Sequence, residues 1–142
     1  MKDIMDWSKC LNEFIMDVEL DNDKIESLKD TAKARIRFIS SIKISEDNVS
    51  FIVENYYEVI KELLTAILLK SKMKSSNHQC LISFFYNQYK EYEEESNIIL
   101  QMSYLRNRLT YYGELIPYKY YERYKLEFKH IIQLLLDITN KK

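Results

Sequence analysis

The residues best suited to bind a charged ligand lie together in one short segment. The run LRNRLTYYG contains Arg106, Asn107 and Arg108, followed by Tyr111 and Tyr112. Arginine is always charged and can bind a phosphate through two parallel N–H groups. Asparagine both donates and accepts hydrogen bonds. The segment could therefore hold a phosphate or a nucleotide. It could equally be a charged helix end, where basic residues interact favourably with the helix dipole.

The tyrosine content of the chain is unusually high. Twelve of the 142 residues are tyrosine, and seven of them lie between Tyr104 and Tyr124. Tyrosine buries a ring while keeping a polar tip, so it suits interfaces and surfaces on which bases stack. The alternative is a helical core with amphipathic edges.

Metal and hydrolase chemistry find little support in the sequence. A di-iron bundle needs two Glu-x-x-His pairs. This chain has one, formed by Glu127 and His130. Its other histidine, His78, has Ser75 at the position where the motif needs glutamate. Histidine and cysteine are too few for a zinc site. The chain has no G-x-S-x-G turn, and its single glycine cannot make a phosphate-binding loop. We expect neither a metal nor a cofactor.

The charge is balanced overall but uneven along the chain. The formal net charge is -1, from 21 basic and 22 acidic residues. Residues 1–30 carry an excess of acids, whereas residues 31–45 and 96–142 carry an excess of bases. A face built from the second and last helices could therefore be locally basic, or the surface could simply be mixed and solvated.

The cysteines and the N-terminus predict a cytoplasmic protein. Cys10 and Cys80 are isolated, which is typical of reduced thiols in a core. The segment beginning at Met1 carries acids where a signal peptide needs an apolar run. No stretch reaches the roughly eighteen apolar residues of a membrane span, so we expect no membrane contact.

The elements that would position these residues are helices. One glycine and one proline are too few for the turns of a sandwich or barrel. Apolar residues recur every three or four positions in six segments, at about 3–16, 23–43, 47–71, 78–91, 95–112 and 117–139. Polar or special residues separate the segments. Asp21, Asn22 and Asp23 offer N-caps for the second helix, and Asn77 could cap the fourth. Gly113 suits the C-cap of the fifth helix, and Pro117 suits the first turn of the last.

The expected fold is all-α. It is an antiparallel helical bundle of about five long helices plus a short N-terminal helix, in a single domain over residues 1–142. The period-3.6 stripes predict the following core residues: Leu28, Ile36, Ile52, Val59, Leu63, Ile82, Met102, Leu105, Phe128, Ile131 and Leu135.

Three segments resemble a known family. The run RNRLTYYG at 106–113 resembles the signature of HEPN domains, in which an arginine, commonly followed by asparagine, precedes a histidine near a helix end. The segment ENYYEVIKELLTA at 54–66 resembles the family's long central helix. The segment SNHQCLI at 76–82 resembles the start of the next helix in many prokaryotic members. The resemblance covers about residues 23–140.

The resemblance implies a bundle of about five helices that is commonly a homodimer. Members often pair with a minimal nucleotidyltransferase, several of them as toxin–antitoxin modules. Active members are metal-independent RNases whose arginine and histidine meet across the dimer interface.

The sequence departs from the family signature at its histidine. Arg106 and Asn107 match, but the positions open to the histidine are occupied by Tyr111, Tyr112 and Gly113. Metal-free RNA cleavage needs acid–base groups with a pKa near 7. Histidine has an ordinary pKa of about 6.5 and tyrosine of about 10, so tyrosine could donate a proton but would be a poor base.

These observations predict a non-catalytic or weakly catalytic HEPN-like module. It would bind nucleotide, RNA or a nucleotidyltransferase partner through Arg106, Asn107, Arg108, Tyr111 and Tyr112, with His78 as a further candidate. One alternative is a metal-independent RNase toxin with an altered acid–base set, drawn from Arg106, Asn107, Tyr111 and Tyr112. Another is a structural dimeric adaptor.

Overall fold

The computed structural model describes residues 3–141 and is almost entirely helical. The expected all-α bundle is confirmed. The elements in chain order are α1 (Trp7–Glu13), β1 (Ile15–Asp17), α2 (Asn22–Ser40), α3 (Val49–Lys70), β2 (Met73–Ser75), α4 (Gln79–Gln88), a 3-10 turn (Lys90–Tyr92), α5 (Glu93–Tyr112) and α6 (Tyr118–Asn140).

Helix α3 forms the centre of the bundle. Apolar residues on several sides of this helix are buried, because α2, α4, α5 and α6 all contact it. Most of the apolar surface of α3 is therefore buried within the chain, and this burial stabilises the fold. Within residues 3–141, no helix combines the length and apolar composition needed to cross a membrane.

Most of the core predicted from the apolar stripes is buried. Eight of the eleven residues lie in the interior, namely Ile52, Val59, Leu63, Ile82, Met102, Phe128, Ile131 and Leu135. The other three residues are half-buried and pack against the edge of the core, namely Leu28, Ile36 and Leu105. For Leu28 and Ile36 the reason is that α2 lies at the edge of the bundle and mainly contacts α3.

The predicted caps at Asp21 and Gly113 are present, whereas the N-cap position of α4 is occupied by His78 and Asn77 lies one residue before it. Asp21 accepts a hydrogen bond from the backbone N–H of Lys24 at 3.0 Å, and Asn77 accepts one from that of Gln79 at 2.8 Å. Gly113 ends α5 in the left-handed conformation, with φ 65°, and its N–H donates to the carbonyl of Leu109. These local interactions satisfy backbone groups that a helix end leaves unpaired.

The N-terminal segment differs from its prediction. The expected helix over 3–16 is limited to α1, and β1 pairs in antiparallel fashion with β2, which lies in the predicted polar loop. Ile15 faces Ser75 and Asp17 faces Met73. Three-residue strands are too short to show a period, and their pairing joins segments that are distant in sequence.

The two cysteines form a disulfide, so the expectation of reduced thiols was wrong. The sulphur atoms of Cys10 and Cys80 lie 2.18 Å apart, and both residues are fully buried. Seventy positions separate them in the sequence. They meet because α1 packs against α4, with Trp7 and Phe84 in edge-to-face contact at 5.3 Å.

Candidate nucleotide-binding site

Four of the six predicted binding residues line one cleft. His78, Arg106, Asn107 and Tyr111 surround a space of about 290 Å³. Other walls of this cleft, which we call the arginine cleft, are formed by Phe14, Tyr57, Ser76, Asn77, Gln79 and Ser103. Residues that lie 28 positions apart in sequence, His78 and Arg106, thus share one site.

Three helices hold the walls of the arginine cleft. The C-terminal half of α5 supplies Ser103, Arg106 and Asn107, whose spacing of three and four residues puts them on one face. The N-terminal end of α4 supplies His78 and Gln79. Helix α3 packs against both and supplies Tyr57. The cleft is therefore built mainly on helices, and Phe14, Ser76 and Asn77 complete it from the segments beside β1 and β2.

Arg106 has hydrogen-bonding capacity to spare. Its Nη2 lies 3.5 Å from Glu58 Oε1, and its Nη1 lies 3.4 Å from Asn107 Oδ1, both of which are long contacts. Its Nε is buried and has no hydrogen-bond partner among residues 3–141. A guanidinium has five N–H donors, so the Nη groups of Arg106 can donate to further oxygen atoms.

Lys61 and Glu58 adjust the charge beside Arg106. Lys61 Nζ lies 2.8 Å from Glu58 Oε2, so one carboxylate is shared by two cations. The three groups together carry a net positive charge. The side chains of Arg106 and Glu58 are 25% and 18% exposed, which reduces screening by solvent.

The surroundings of His78 favour the neutral form of its imidazole. Partial burial lowers the pKa of His78 below its ordinary value, and the positive charges of Lys61 and Arg106 lower this pKa further. Its imidazole is therefore neutral at pH 7 and can accept a proton or a hydrogen bond.

A polar wall closes the inner side of the arginine cleft. Gln79 Nε2 donates to the hydroxyl of the buried Ser103 at 2.7 Å. Burial raises the pKa of Tyr57, although a hydrogen bond with Ser103 opposes that shift. Tyr57 therefore stays protonated at neutral pH and offers a hydroxyl group.

The remaining predicted residues, Arg108 and Tyr112, line a second cleft beside the first. This tyrosine cleft has a volume of about 340 Å³ and is also lined by Gln79, Leu100, Tyr104, Asn107 and Tyr111. Gln79, Asn107 and Tyr111 line both clefts. The six predicted residues thus belong to one continuous region of the surface.

Known proteins give no match. No family model, no curated protein and no solved structure matches this chain. The geometry of the two clefts is therefore the basis on which a function can be proposed.

The other histidine lies away from these clefts. His130 Nε2 is 3.4 Å from Glu95 Oε2, at an exposed position between α6 and the first turn of α5. Among residues 3–141, no three His, Cys, Asp or Glu side chains form a group that could bind a metal ion.

Sequence reasoning missed several residues of the site. Ser103 and Tyr104 share a helical face with Arg106 and Arg108, so the periodicity of α5 could have revealed them. Glu58 belongs to another helix and carries no local signal of its role. Only the packing of α3 against α5 brings it to Arg106.

Proposed function

We propose that this protein is a HEPN-like module that binds the phosphates of nucleotides or RNA in the arginine cleft. The observation that carries the proposal is Arg106, whose two Nη groups make only long contacts and which shares a cleft with Asn107 and His78. The resemblance of residues 106–113 to the HEPN signature supports the same function.

The electrostatics of the arginine cleft suit a phosphate group. Arg106 and Lys61 outnumber the carboxylate of Glu58, and arginine binds phosphate through parallel N–H groups. The cleft also borders the N-terminal end of α4, where the helix dipole favours negative charge.

Binding of a fluorescent single-stranded oligoribonucleotide tests this proposal. In Arg106→Ala we expect the affinity to fall about 10- to 150-fold, since a hydrogen bond to a charged group contributes roughly 1.5–3 kcal/mol. Arg37→Ala, at an exposed position on α2, is the matched control and should bind nearly as the native protein does. Equal losses in the two variants would indicate nonspecific attraction and contradict the proposal.

A second candidate function is metal-independent cleavage of RNA. His78, neutral at pH 7, would accept the proton of the ribose 2′-hydroxyl, and the resulting alkoxide would attack the neighbouring phosphorus. Arg106 would hold the phosphate. Tyr111 lines the same cleft and would donate a proton to the leaving 5′-oxygen, as the P–O bond breaks. The sequence alone predicts no such activity, because tyrosines replace the family's histidine.

Incubation of the protein with single-stranded RNA in EDTA separates binding from cleavage. The binding module predicts intact RNA. The RNase predicts cleavage that falls about 10²- to 10⁴-fold in His78→Gln, which removes the proton acceptor. His130→Gln, remote from the cleft, is the control and should cleave as the native protein does.

We further propose a homodimer that pairs with a minimal nucleotidyltransferase in a toxin–antitoxin-type system. The support is the family resemblance and the exposed apolar side chains of Phe51 and Leu115. These residues flank the contact in which Ser50 Oγ accepts from the N–H of Ile116 at 2.8 Å.

Sedimentation should give twice the chain mass of 17.2 kDa. A monomer at high micromolar concentration would contradict the dimer, and a dimer without RNA binding would favour a structural adaptor.

A further inference from the structure

The exposed face of α5 carries a column of stacked side chains. Tyr104, Arg108 and Tyr112 follow one another at intervals of four residues and so lie above one another on the helix. The guanidinium carbon of Arg108 is 5.8 Å from the ring centre of Tyr104 and 5.0 Å from that of Tyr112. These distances are those of cation–π contacts.

The end of α5 fixes this column in place. Gly113 turns the chain, and Glu114 beyond it accepts a hydrogen bond from Arg108 Nε at 2.6 Å. Arg108 is thus held between two rings instead of extending into solvent. The planar faces of the column are positioned before any ligand arrives.

The three tyrosines of the tyrosine cleft are exposed to solvent. Tyr111 and Tyr112 are 71% and 73% exposed, and Tyr104 is 43% exposed. Large exposed aromatic surface beside a polar cleft is typical of places where a planar ligand ring stacks. Tyrosine and arginine planes stack on any nucleobase, because every base has a π-face.

We propose that the tyrosine cleft is a nucleobase subsite for single-stranded RNA or a nucleotide. The base stacks on the Tyr104–Arg108–Tyr112 column, while its phosphate occupies the arginine cleft. This inference rests on the proposed function. It adds that recognition includes an aromatic base as well as a phosphate.

The shared walls of the two clefts connect the base to the phosphate. Gln79, Asn107 and Tyr111 line both clefts, so the two clefts are adjacent. The carboxamides of Gln79 and Asn107 each contain a donor and an acceptor. Such groups can meet the polar edge of a base.

A titration with two matched ligands tests the subsite. Adenosine monophosphate carries a base and a phosphate, whereas ribose 5-phosphate carries only the phosphate and sugar. Chemical-shift titration of the native protein should show adenosine monophosphate binding roughly 5- to 150-fold more tightly, since stacking one base contributes roughly 1–3 kcal/mol. Ribose 5-phosphate binding should require Arg106.

Substitutions of the column identify where the base binds. Tyr112→Leu should reduce the affinity for adenosine monophosphate toward that of ribose 5-phosphate and leave ribose 5-phosphate binding unchanged. Tyr112→Phe keeps the ring and should retain the preference. Tyr86→Leu is the matched control, because Tyr86 also has a cation beside its ring, Lys90 at 5.9 Å, but lines neither cleft.

The outcomes separate this inference from the proposed function. Equal affinities for the two ligands, with ribose 5-phosphate still dependent on Arg106, would overturn the base subsite and keep phosphate binding. Binding of neither ligand would overturn both. If Tyr112→Leu instead converted a dimer to a monomer on sedimentation and left the ligand preference intact, the column would be a self-association surface and the base subsite would be wrong.

Discussion

At the scale of single residues, Glu58 controls how available Arg106 is to a ligand. Its carboxylate is shared by Lys61 at 2.8 Å and Arg106 at 3.5 Å. A phosphate entering the cleft would compete with this carboxylate for Arg106, and like charges repel. Glu58 therefore orients the arginine and also opposes the ligand.

Glu58→Gln should strengthen phosphate binding. The substitution removes one negative charge from beside Arg106, so we expect RNA to bind about two- to fivefold more tightly, equivalent to roughly 0.4–1 kcal/mol. Fluorescence anisotropy at several salt concentrations measures the change. Glu62→Gln is the control, since Glu62 makes the same kind of pair on the same helix, but with Arg35 at 2.8 Å. An equal gain in both variants would rule out a specific role for Glu58.

His78 should make phosphodiester binding depend on pH. Burial and nearby cations lower the pKa of His78, and a bound phosphate would raise it. Ligand binding is therefore coupled to the uptake of a proton by His78. The affinity for the phosphodiester should rise as the pH falls from the pKa of His78 in the complex to its pKa in the free protein. Within this range the affinity increases about tenfold for each pH unit.

A phosphodiester ligand isolates this effect, since its own charge does not change between about pH 8 and about pH 5. In His78→Gln the affinity should become nearly independent of pH, whereas His130→Gln should behave as the native protein does. A pH dependence that persists in His78→Gln would assign the proton to another group.

At the scale of elements, the end of α5 decides the position of Arg108 and of the following loop. Gly113 has φ 65°, and an added Cβ there would meet no atom within 4 Å. The requirement for glycine is therefore one of backbone conformation and not of space. The chain then reaches Ile116, whose buried N–H donates to Ser50 at the start of α3.

Gly113→Ala should destabilise the fold by roughly 1–2 kcal/mol, the cost of a left-handed conformation for an L-residue. Urea unfolding followed by circular dichroism measures this loss. Gly113→Asn should cost less, because asparagine adopts the left-handed region more readily. If asparagine cost more than alanine, a steric clash and not the backbone would be the cause.

At the scale of the whole molecule, the N-terminal segment is tied to the bundle in two ways. The disulfide joins α1 to α4, and β1 pairs with β2. The N–H of Ser76 also donates to the carbonyl of Phe14 at 3.0 Å, and both residues line the arginine cleft. The segment thus completes one wall of the site.

Replacing both cysteines with alanine should lower the free energy of unfolding by about 4 kcal/mol. The disulfide closes a loop across a sequence separation of 70, and such a cross-link chiefly restricts the unfolded chain. The helical signal should persist in the variant, because the main core cluster contains neither cysteine. Thermal unfolding with and without dithiothreitol measures the effect. Dithiothreitol should destabilise the native protein and leave the variant unchanged. If dithiothreitol had the same effect on both proteins, the cysteines would not be bonded in solution.

The sequence by itself determined the parts of this protein that depend on neighbours along the chain. The positions of α2 to α6 followed from the period of apolar residues, and the caps at Asp21 and Gly113 followed from residue types near the helix ends. The cluster from Arg106 to Tyr112 was likewise visible, since a helix brings residues three and four apart together. Such interactions span no more than about two helical turns.

Only the tertiary structure decided which distant residues meet. The disulfide, the β1–β2 pair, the shared cleft of His78 and Arg106, and the contact of Glu58 with Arg106 all join separate elements. No periodicity encodes such a pairing. It arises because several helices bury their apolar faces against α3, and this packing fixes which polar side chains are brought together at the surface.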